Sequence, residues 1–546
     1  MSSVSVNDIP VDITGKNLNA IQAAELAGVL VPHYCWHPSL TVVASCRMCL
    51  VEVGEKKPDG TVAMQPKVVP GCQTPVKDGM VIRTNSEKAK QAQAETLEGL
   101  LINHPLDCPV CDKAGECKLQ DYSFQFGKAQ SRMIEDKNTP PNKEHIGPTI
   151  KLFTDRCIMC SRCVRFTREI AGTAELQIVS RGNHAEIDIF PGDPLDNKLA
   201  GNVVDLCPVG ALGDKNTLYT QRVWYLQPKE NICTGCSTGC STYVDANKDI
   251  AYRTRPRPNE LAQGYFLCDD GRYGKHLPAP GTRVTAPQAR KGDALVTASW
   301  AELLPSLRRD LANVADQGPI PLAVVLSPFL SVEEAFLLAK YAKNLSSKAK
   351  LYLGHVPVVG QDDVYPKDRK GNPTSGPAKF TIRAEKAPNR LGVTAVIRHF
   401  EGSVPSLADY TSAAQAGQVK AVYLTGGYAD EASLAALAAL PKPGLTIVHD
   451  FAPLTWAAGA HYFLPLSLAT EKEATYVNHA GLAQTVKRAM NAPTGVRSEC
   501  QLFSDLLNLK GLVQVSKIRH EVAQTIAYFA PLGTPTPGEK GVALVS

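Results

Sequence analysis

Cysteine is the residue type whose number and placement could do chemistry in this chain. There are 16 cysteines in 546 residues, and fifteen of them precede residue 270. A disulfide framework belongs to short secreted chains, whereas clustered cysteines without a secretion signal point to metal. The first group is Cys35, Cys46, Cys49 and Cys72, spaced C-x10-C-x2-C-x22-C. Two close thiolates on a tight loop, joined by two remote ones, can hold a [2Fe–2S] cluster. Tetrahedral zinc is the competing reading, since four thiolates suit it equally. His33 and His37 flank Cys35 and either could ligate. Four thiolates already suffice, so packing or surface roles are expected for both.

The second group is His104, Cys108, Cys111 and Cys117, spaced H-x3-C-x2-C-x5-C. Three local thiolates lack a fourth partner, and His104 closes the preceding helical pattern within reach. Neutral imidazole in place of thiolate removes a negative charge and should raise the potential of a [4Fe–4S] cluster, as in Rieske centres. The third group is Cys157, Cys160, Cys163 and Cys207, the last followed by Pro208. C-x2-C-x2-C with a remote Cys-Pro is the bacterial [4Fe–4S] pattern, and zinc sites rarely use two consecutive x2 gaps. Arg156, Arg162, Arg165 and Arg168 lie beside it. They either stabilise a reduced, strongly negative cluster or form an ordinary charged helix face. The fourth group is Cys233, Cys236, Cys240 and Cys268, spaced C-x2-C-x3-C-x27-C. A triplet plus one remote thiolate again fits a cubane, whereas a zinc ribbon would show two C-x2-C pairs. Cys500 stands apart in a helical pattern and reads as a small buried hydrophobe. Several redox centres in series imply electron transfer rather than substrate chemistry.

Composition narrows the class. Net charge is +5, with 44% apolar and 20% charged residues. This is ordinary globular usage without the basic field a nucleic-acid partner would need. No run reaches the roughly 18 apolar residues of a membrane helix. The first residues show neither a signal nor a transit pattern, so the chain reads as cytoplasmic. Neither G-x-G-x-x-G nor a P-loop occurs. Gly426-Gly427 after a strand reads as a geometric turn, not a nucleotide site.

Around these groups the element signals are clear. Val4, Val6, Ile9, Val11 and Ile13 alternate around an Asn7-Asp8 turn. Asn17 to Ala27 has helical spacing ending at Gly28, and Ser86 caps a helix reaching Asn103. Leu50 to Val53 and Val62 to Val69 read as strands about Pro58-Asp59-Gly60. Linkers are expected over Glu135 to Pro148 and Leu277 to Asp293. Beyond these, strands at Leu322 to Ser327, Lys350 to Leu353, Ala421 to Leu424 and Leu445 to His449 alternate with helices at Val332 to Asn344 and Asp430 to Leu440. That is α/β patterning with a mainly parallel sheet. Residues 361 to 379 form a polar loop too long for a simple connection. The tail from Ala530 is expected to drape over a surface.

The joint pattern resembles the family of the large iron–sulfur subunit (the G subunit) of respiratory complex I, the NADH–quinone oxidoreductase. The matching residues are His33-Tyr34-Cys35, Cys46-Arg47-Met48-Cys49-Leu50-Val51-Glu52, the run His104 to Cys117 with Leu119-Gln120-Asp121, and Arg156-Cys157 through Cys163-Val164-Arg165. Cys233 to Cys268, Arg255-Pro256-Arg257 and Gly271-Arg272, with Leu464-Pro465, Glu471, Asn478 and Gly481 to Gln484, resemble a molybdopterin-oxidoreductase-type domain. The resemblance implies a multidomain α+β and α/β chain. Its parts would be a [2Fe–2S] ferredoxin-like β-grasp domain over 1–82, a [4Fe–4S] domain with one histidine and three cysteine ligands over 83–146, and a [4Fe–4S] ferredoxin-like domain over 147–225. A shortened molybdopterin-oxidoreductase-like α/β domain with a [4Fe–4S] site at its start would cover 226–546. The function implied is electron relay from a flavin- and NADH-binding partner, through one [2Fe–2S] and three [4Fe–4S] clusters, toward quinone in an ion-translocating complex. Catalytic residues of its own are not expected. The fourth-group cluster looks off that path and structural. Downstream cluster-bearing and quinone-site subunits would be partners, the membrane arm an indirect one, and the location the cytoplasmic face of a bacterial inner membrane. Three departures stand out. The Cys49–Cys72 gap is long, Cys268-Asp269-Asp270-Gly271-Arg272 lacks the lysine of C-x-K-G-R, and the α/β part is short. Molybdopterin is therefore not expected. The alternative is a cluster-bearing subunit of a formate dehydrogenase or NAD-linked hydrogenase.

Overall fold

The computed structural model describes residues 2–544 apart from 275–276, 278–280, 453–456, 458 and 534–537. Its architecture is mixed α/β in several parts. By spatial clustering, residues 1–226 together with 365–379 form one unit, and 227–364 together with 380–546 form another.

The first unit opens on a six-stranded mixed sheet. Ser3–Val6 pairs antiparallel with Ile9–Asp12 and parallel with Met80–Arg83. Asn7 and Asp8 take the left-handed conformation (φ 47° and 68°) that a two-residue hairpin turn requires. Val4, Val6 and Val11 are buried, while Ile9 faces water. Leu50–Lys56 forms the other side and pairs with Met80–Arg83, Val62–Met64 and Val69–Pro70. The single strand expected over Val62 to Val69 is thus two short ones. The helix Ala20–Leu26 is closed by an Asn19–Gln22 capping box and buries Ala20, Ile21, Ala23 and Ala24. Three alanines let the helix lie close to the sheet.

Ser86 accepts from the Ala89 amide and starts the helix Glu87–Leu101. The helix Lys118–Phe126 packs beside it. The next part rests on two small antiparallel pairs, Ile150–Leu152 with Leu212–Asp214 and Leu176–Val179 with Glu186–Ile189. Between them run the helices Arg162–Phe166 and Asn202–Leu206. The expected linker from Glu135 to Pro148 is anchored rather than free. Ile146 is fully buried, and Lys143 bonds to Glu186 (3.0 Å) and Asp188.

In the second unit, a meander of Gln227–Ile232, Ser241–Asn247 and Ile250–Pro256 precedes a seven-stranded sheet. Five strands of that sheet are parallel: Lys350–Leu353, Ile320–Leu326, Val419–Thr425, Leu445–Asp450 and Tyr462–Pro465, in that spatial order. Numbered along the chain this is 2-1-3-4-5, the doubly-wound arrangement. Such strands are covered on both faces, which is why Ile-Pro-Leu-Ala-Val-Val-Leu is almost continuously apolar. Ser331–Glu334 and Ser299–Glu302 capping boxes start the helices Val332–Leu345 and Trp300–Val314. Part of the second expected linker, 275–276 and 278–280, lies outside the described residues. Its end is a strand: Gln288–Lys291 pairs with Ala294–Thr297 and joins the sheet edge antiparallel to Tyr462–Pro465. The tail also differs from a surface drape. Ala527–Gly533 buries Phe529 and Leu532, and Val542–Ala543 adds a strand beside Leu482–Val486; 534–537 lie outside the described residues.

The long polar loop has a structural answer. Residues 365–379 belong to the first unit, and the Lys367 amide donates to the Ala171 carbonyl (2.8 Å). Gly172, at φ 84°, ends the helical stretch there, and a Cβ would strike the Lys367 carbonyl oxygen. Gly172→Ala should therefore cost roughly 1–2 kcal/mol from the left-handed backbone alone, and more from the contact. Limited proteolysis should find 365–379 cut faster in the variant. Equal cleavage rates would show that the contact does not hold the loop.

Candidate metal centres

Each of the four sequence groups is brought together within one unit. In the first, Cys35, Cys49 and Cys72 are buried and Cys46 is partly so. The supporting loop turns through Ala44 and Arg47, both left-handed (φ 49° and 56°), so that Cys46 and Cys49 face inward. The Cys35 amide donates to Cys46 Sγ (3.4 Å). Side-chain hydrogen bonds from Cys46 and Cys72 hold the Cys35 thiol below the usual range, and one from Cys72 does the same for Cys49. Cys46 and Cys72 are pushed up in turn. Four sulfurs packed this closely cannot all be thiolates without a cation among them. His33 Nδ1 lies 2.8 Å from the Val31 carbonyl, and His37 Nδ1 accepts from the Ser39 amide (3.2 Å). Both rings thus have local structural partners.

The second group lies in the loop between two helices. Cys108–Val110 is a 3-10 turn, and Cys117 precedes Lys118–Phe126. His104, Cys108, Cys111 and Cys117 line one small cavity, with Asp107, Arg156 and Gly210. His104 Nδ1 is buried with no hydrogen-bond partner among the described residues. Burial, reinforced by Lys137 and Arg156, lowers the His104 pKa to about 4, so the ring is neutral near pH 7 and can donate a lone pair. Cys108 is the one exposed cysteine of the chain.

Two participants here come from the third group's segments. Gly210 follows Cys207-Pro208-Val209, yet its Cβ would collide with Cys111 Sγ. Arg156 precedes Cys157, yet its guanidinium lines the second cavity and bonds Asp107 (3.0 Å). Neither placement was expected from the sequence, where only a Gly two residues beyond the Cys-Pro hinted at a close approach.

Cys157, Cys160, Cys163 and Cys207 line a small cavity, walled by Leu152, Ile158, Ile187, Val209, Ala211 and Leu212. Met159 and Ser161 are left-handed (φ 51° and 59°), which turns the triplet around the space. Burial pushes the Cys157 thiol up to about 12 and Cys160 to about 11, and raises Cys163 well above the usual thiol range. The four arginines do not behave alike. Arg162 and Arg165 are buried, Arg156 serves the second cavity, and Arg168 is mostly exposed beside Glu169. The two readings, cluster cation and charged face, therefore divide among them.

In the second unit, Cys233, Cys236, Cys240 and Cys268 are all buried, and the Cys233 amide closes on the Cys240 carbonyl (2.8 Å). Amides of Gly235 and Gly271 donate to Cys233 and Cys268 Sγ, each at 3.4 Å. A Cβ on Gly271 would stand 2.9 Å from Cys233 Sγ. Burial, then the charge of neighbouring cysteines, raises Cys233 and Cys240. Cys500 is buried far from any of these groups in the sequence, in the helix Glu499–Leu506 within the large core.

Among the described residues no group of three or more His, Cys, Asp or Glu meets the geometry of a metal-ion site. The second and third groups each surround one small space with four donors. An orphaned buried imidazole nitrogen and amides that donate to sulfur suit an anionic sulfur cluster. The Gly426-Gly427 turn is geometric, as expected. Asp450 Oδ1 accepts the Gly427 (2.9 Å) and Phe451 (2.7 Å) amides, and a Cβ on Gly426 would strike its carboxylate. An aspartate already takes the amides that a phosphate would use.

Several segments of the chain match known protein families. Residues 3–87 match a 2Fe-2S iron-sulfur cluster binding domain, and 93–132 the NADH-ubiquinone oxidoreductase-G iron-sulfur binding region. Residues 147–213 match the ferredoxin-like domain of NADH-quinone oxidoreductase subunit 3, and 396–509 a molybdopterin oxidoreductase domain. The G subunit of NADH-quinone oxidoreductase from Rickettsia felis is 38% identical over 326 residues, 60% of this chain and 46% of that protein. The mitochondrial 78 kDa subunit of NADH-ubiquinone oxidoreductase from Candida albicans is 35% identical over 355 residues, 64% of this chain and 48% of that one. The chain spans about half the length of the curated relatives it matches. A solved NAD+-reducing [NiFe]-hydrogenase covers 41% of the chain at 25% identity and a TM-score of 0.35, too low to carry an argument. The chain therefore matches the domains and the curated homologues of the G-subunit family of NADH-quinone oxidoreductase at moderate identity.

Proposed function

We propose that this chain is the electron-relay subunit of an NADH–quinone oxidoreductase, passing single electrons from a flavin-bearing partner toward quinone. One observation carries the reading: fifteen of 16 cysteines and His104 gather in four groups, and the domain matches take in each of the first three. The proposed ligands are Cys35, Cys46, Cys49 and Cys72 for a [2Fe–2S] cluster. His104, Cys108, Cys111 and Cys117 would hold one [4Fe–4S] cluster. Cys157, Cys160, Cys163 and Cys207 would hold a second, and Cys233, Cys236, Cys240 and Cys268 a third. The proposed domain limits are 1–82, 83–146, 147–225 and 226–546, with 365–379 lending contacts to the first unit.

Bound clusters of this kind accept and release single electrons at potentials set by ligand type, hydrogen bonding and burial. The chain's own residues supply those conditions. Apolar walls around the third cavity exclude water, so charge added there is felt strongly. Amides aimed at Cys35, Cys46, Cys157, Cys233 and Cys268 favour the charged sulfur. Neutral His104 removes one negative charge from the second site.

A flavin- and NADH-binding subunit upstream, cluster-bearing and quinone-site subunits downstream, and a location at the cytoplasmic face of a bacterial inner membrane complete the proposal. No described helix is long and apolar enough to cross a membrane. The fourth-group site, whose residues fall outside the matched domains, is assigned a structural role.

Metal analysis tests the reading first. Anaerobically prepared protein should contain about 14 Fe and about 14 acid-labile sulfide per chain, without molybdenum. Near 10 Fe would leave one cubane site unfilled. Zinc without sulfide would overturn the relay, and stoichiometric molybdenum would favour a formate-dehydrogenase-like enzyme. His104→Cys should lower the potential of the second cluster, because a thiolate restores the negative charge. An unchanged potential and spectrum in a redox titration would exclude His104 as its ligand.

A further inference from the structure

The first and third sites share two cations. Arg162 and Arg165 lie on the short helix Arg162–Phe166, which also carries Cys163. Both side chains are buried, Arg165 to 1% exposure. Arg165 reaches across to the first group: it donates to the Cys35 carbonyl and to the Thr41 carbonyl (2.5 Å). The same guanidinium nitrogen that bonds Cys35 also lies 3.4 Å from the Cys160 carbonyl, and Nε bonds Ser161 Oγ (3.2 Å). Arg162 repeats the arrangement one turn away. It donates to the Trp36 carbonyl, next to Cys35, and to the Leu206 carbonyl (3.3 Å), next to Cys207. Carbonyls from two separate cysteine loops thus converge on two guanidiniums.

Among the described residues neither arginine lies within ion-pair distance of a carboxylate, which is unusual for buried guanidiniums. A guanidinium stays charged even when buried, so two positive charges remain between the sites. The charge they balance must come from the sites themselves. If the role were only to fasten one loop to another, neutral hydrogen-bonding side chains would suffice at lower desolvation cost.

We propose that Arg165, with Arg162 beside it, is a shared positioning residue that sets the potentials of the first and third centres together and fixes the spacing across which one electron passes between them. Through Arg165 the two ligand residues Cys35 and Cys160 are separated by one guanidinium and two hydrogen bonds. No bond is made or broken: one centre loses an electron and the other gains it. The cation stabilises the more negative, reduced state of each. This inference rests on the iron–sulfur reading of both sites.

The test is an EPR-monitored redox titration of the cluster-loaded complex carrying wild-type chain, Arg165→Met or Arg165→Lys. In the Met variant the potentials of the first and third centres should both shift downward, while the second and fourth stay unchanged. The Lys variant, which keeps the charge, should bring both back toward wild type. A shift confined to one centre, a shift in neither, or Met and Lys variants that behave alike would overturn the proposal. Should the variants fail to assemble, the wild-type complex still decides it. Reducing either centre should lower the potential of the other, and independent titration of the two would refute a shared electrostatic field. Absence of any iron–sulfur signal in the wild type would instead defeat the underlying relay reading.

Discussion

Burying sulfur away from water sets the central problem this fold has to solve. A buried thiol resists ionisation, and here burial above all drives Cys157 and Cys160 to about 12 and about 11. Ligand sulfur must nonetheless be thiolate to bind metal. Every local device around the four groups works on that conflict. Backbone amides point at sulfur, left-handed residues such as Ala44, Arg47, Met159 and Ser161 turn loops inward, and glycines stand where a Cβ would meet sulfur. The helices that carry the third group are correspondingly short, Arg162–Phe166 and Asn202–Leu206 having five residues each, so that loops bring the cysteines together.

The core of the second unit shows buried charge handled by pairing acids with bases. It holds Glu333, Glu334, Lys472 and Glu499, all buried. Lys472 bonds both Glu334 (2.7 Å) and Glu499 (2.9 Å), while Glu333 takes the Thr475 amide (2.8 Å) and Arg519 (3.1 Å). Burial pushes Glu334 up to about 7 against the pull of Lys472, whereas Lys472, His449 and Ser467 together overcome burial at Glu499 and hold it down to about 2. These bonds tie the helix Val332–Leu345 to the strand Ala474–Val477 and the helices near the end of the chain. Such pairs are weak as net stabilisers but costly to break singly, so they specify one packing. The doubly-wound part is thereby tied to the later strands and helices, and its glycine turn is filled by Asp450.

Much was legible in advance because the signals were local. The cysteine spacings marked all four groups. The strand at Lys350–Leu353, the Ser86 cap and the alternating parallel strands were readable from periodicity and capping chemistry. Ends of elements moved by one to three residues: the helix expected from Asn17 starts at Ala20, and the strand expected to end at Val53 runs to Lys56. Failures came where polar composition suggested freedom. The Glu135–Pro148 stretch is pinned by Lys143, and Gln288–Lys291 extends a sheet, because partners distant in sequence supply their bonds.

Residue type and short-range spacing were enough to divide the cysteines into four groups and to give the later half its parallel α/β character. Which neighbours those groups acquire depends on how the whole chain packs. Gly210 beside Cys111, Arg156 turned to the second cavity, Asp450 in the glycine turn and 365–379 joined to the first unit are all long-range placements. So is the convergence of Arg162 and Arg165 on the Cys35 loop. An arginine beside a cysteine motif reads the same whether it faces water or a buried carbonyl. Its direction follows from the packing of the whole unit, which no window of sequence contains.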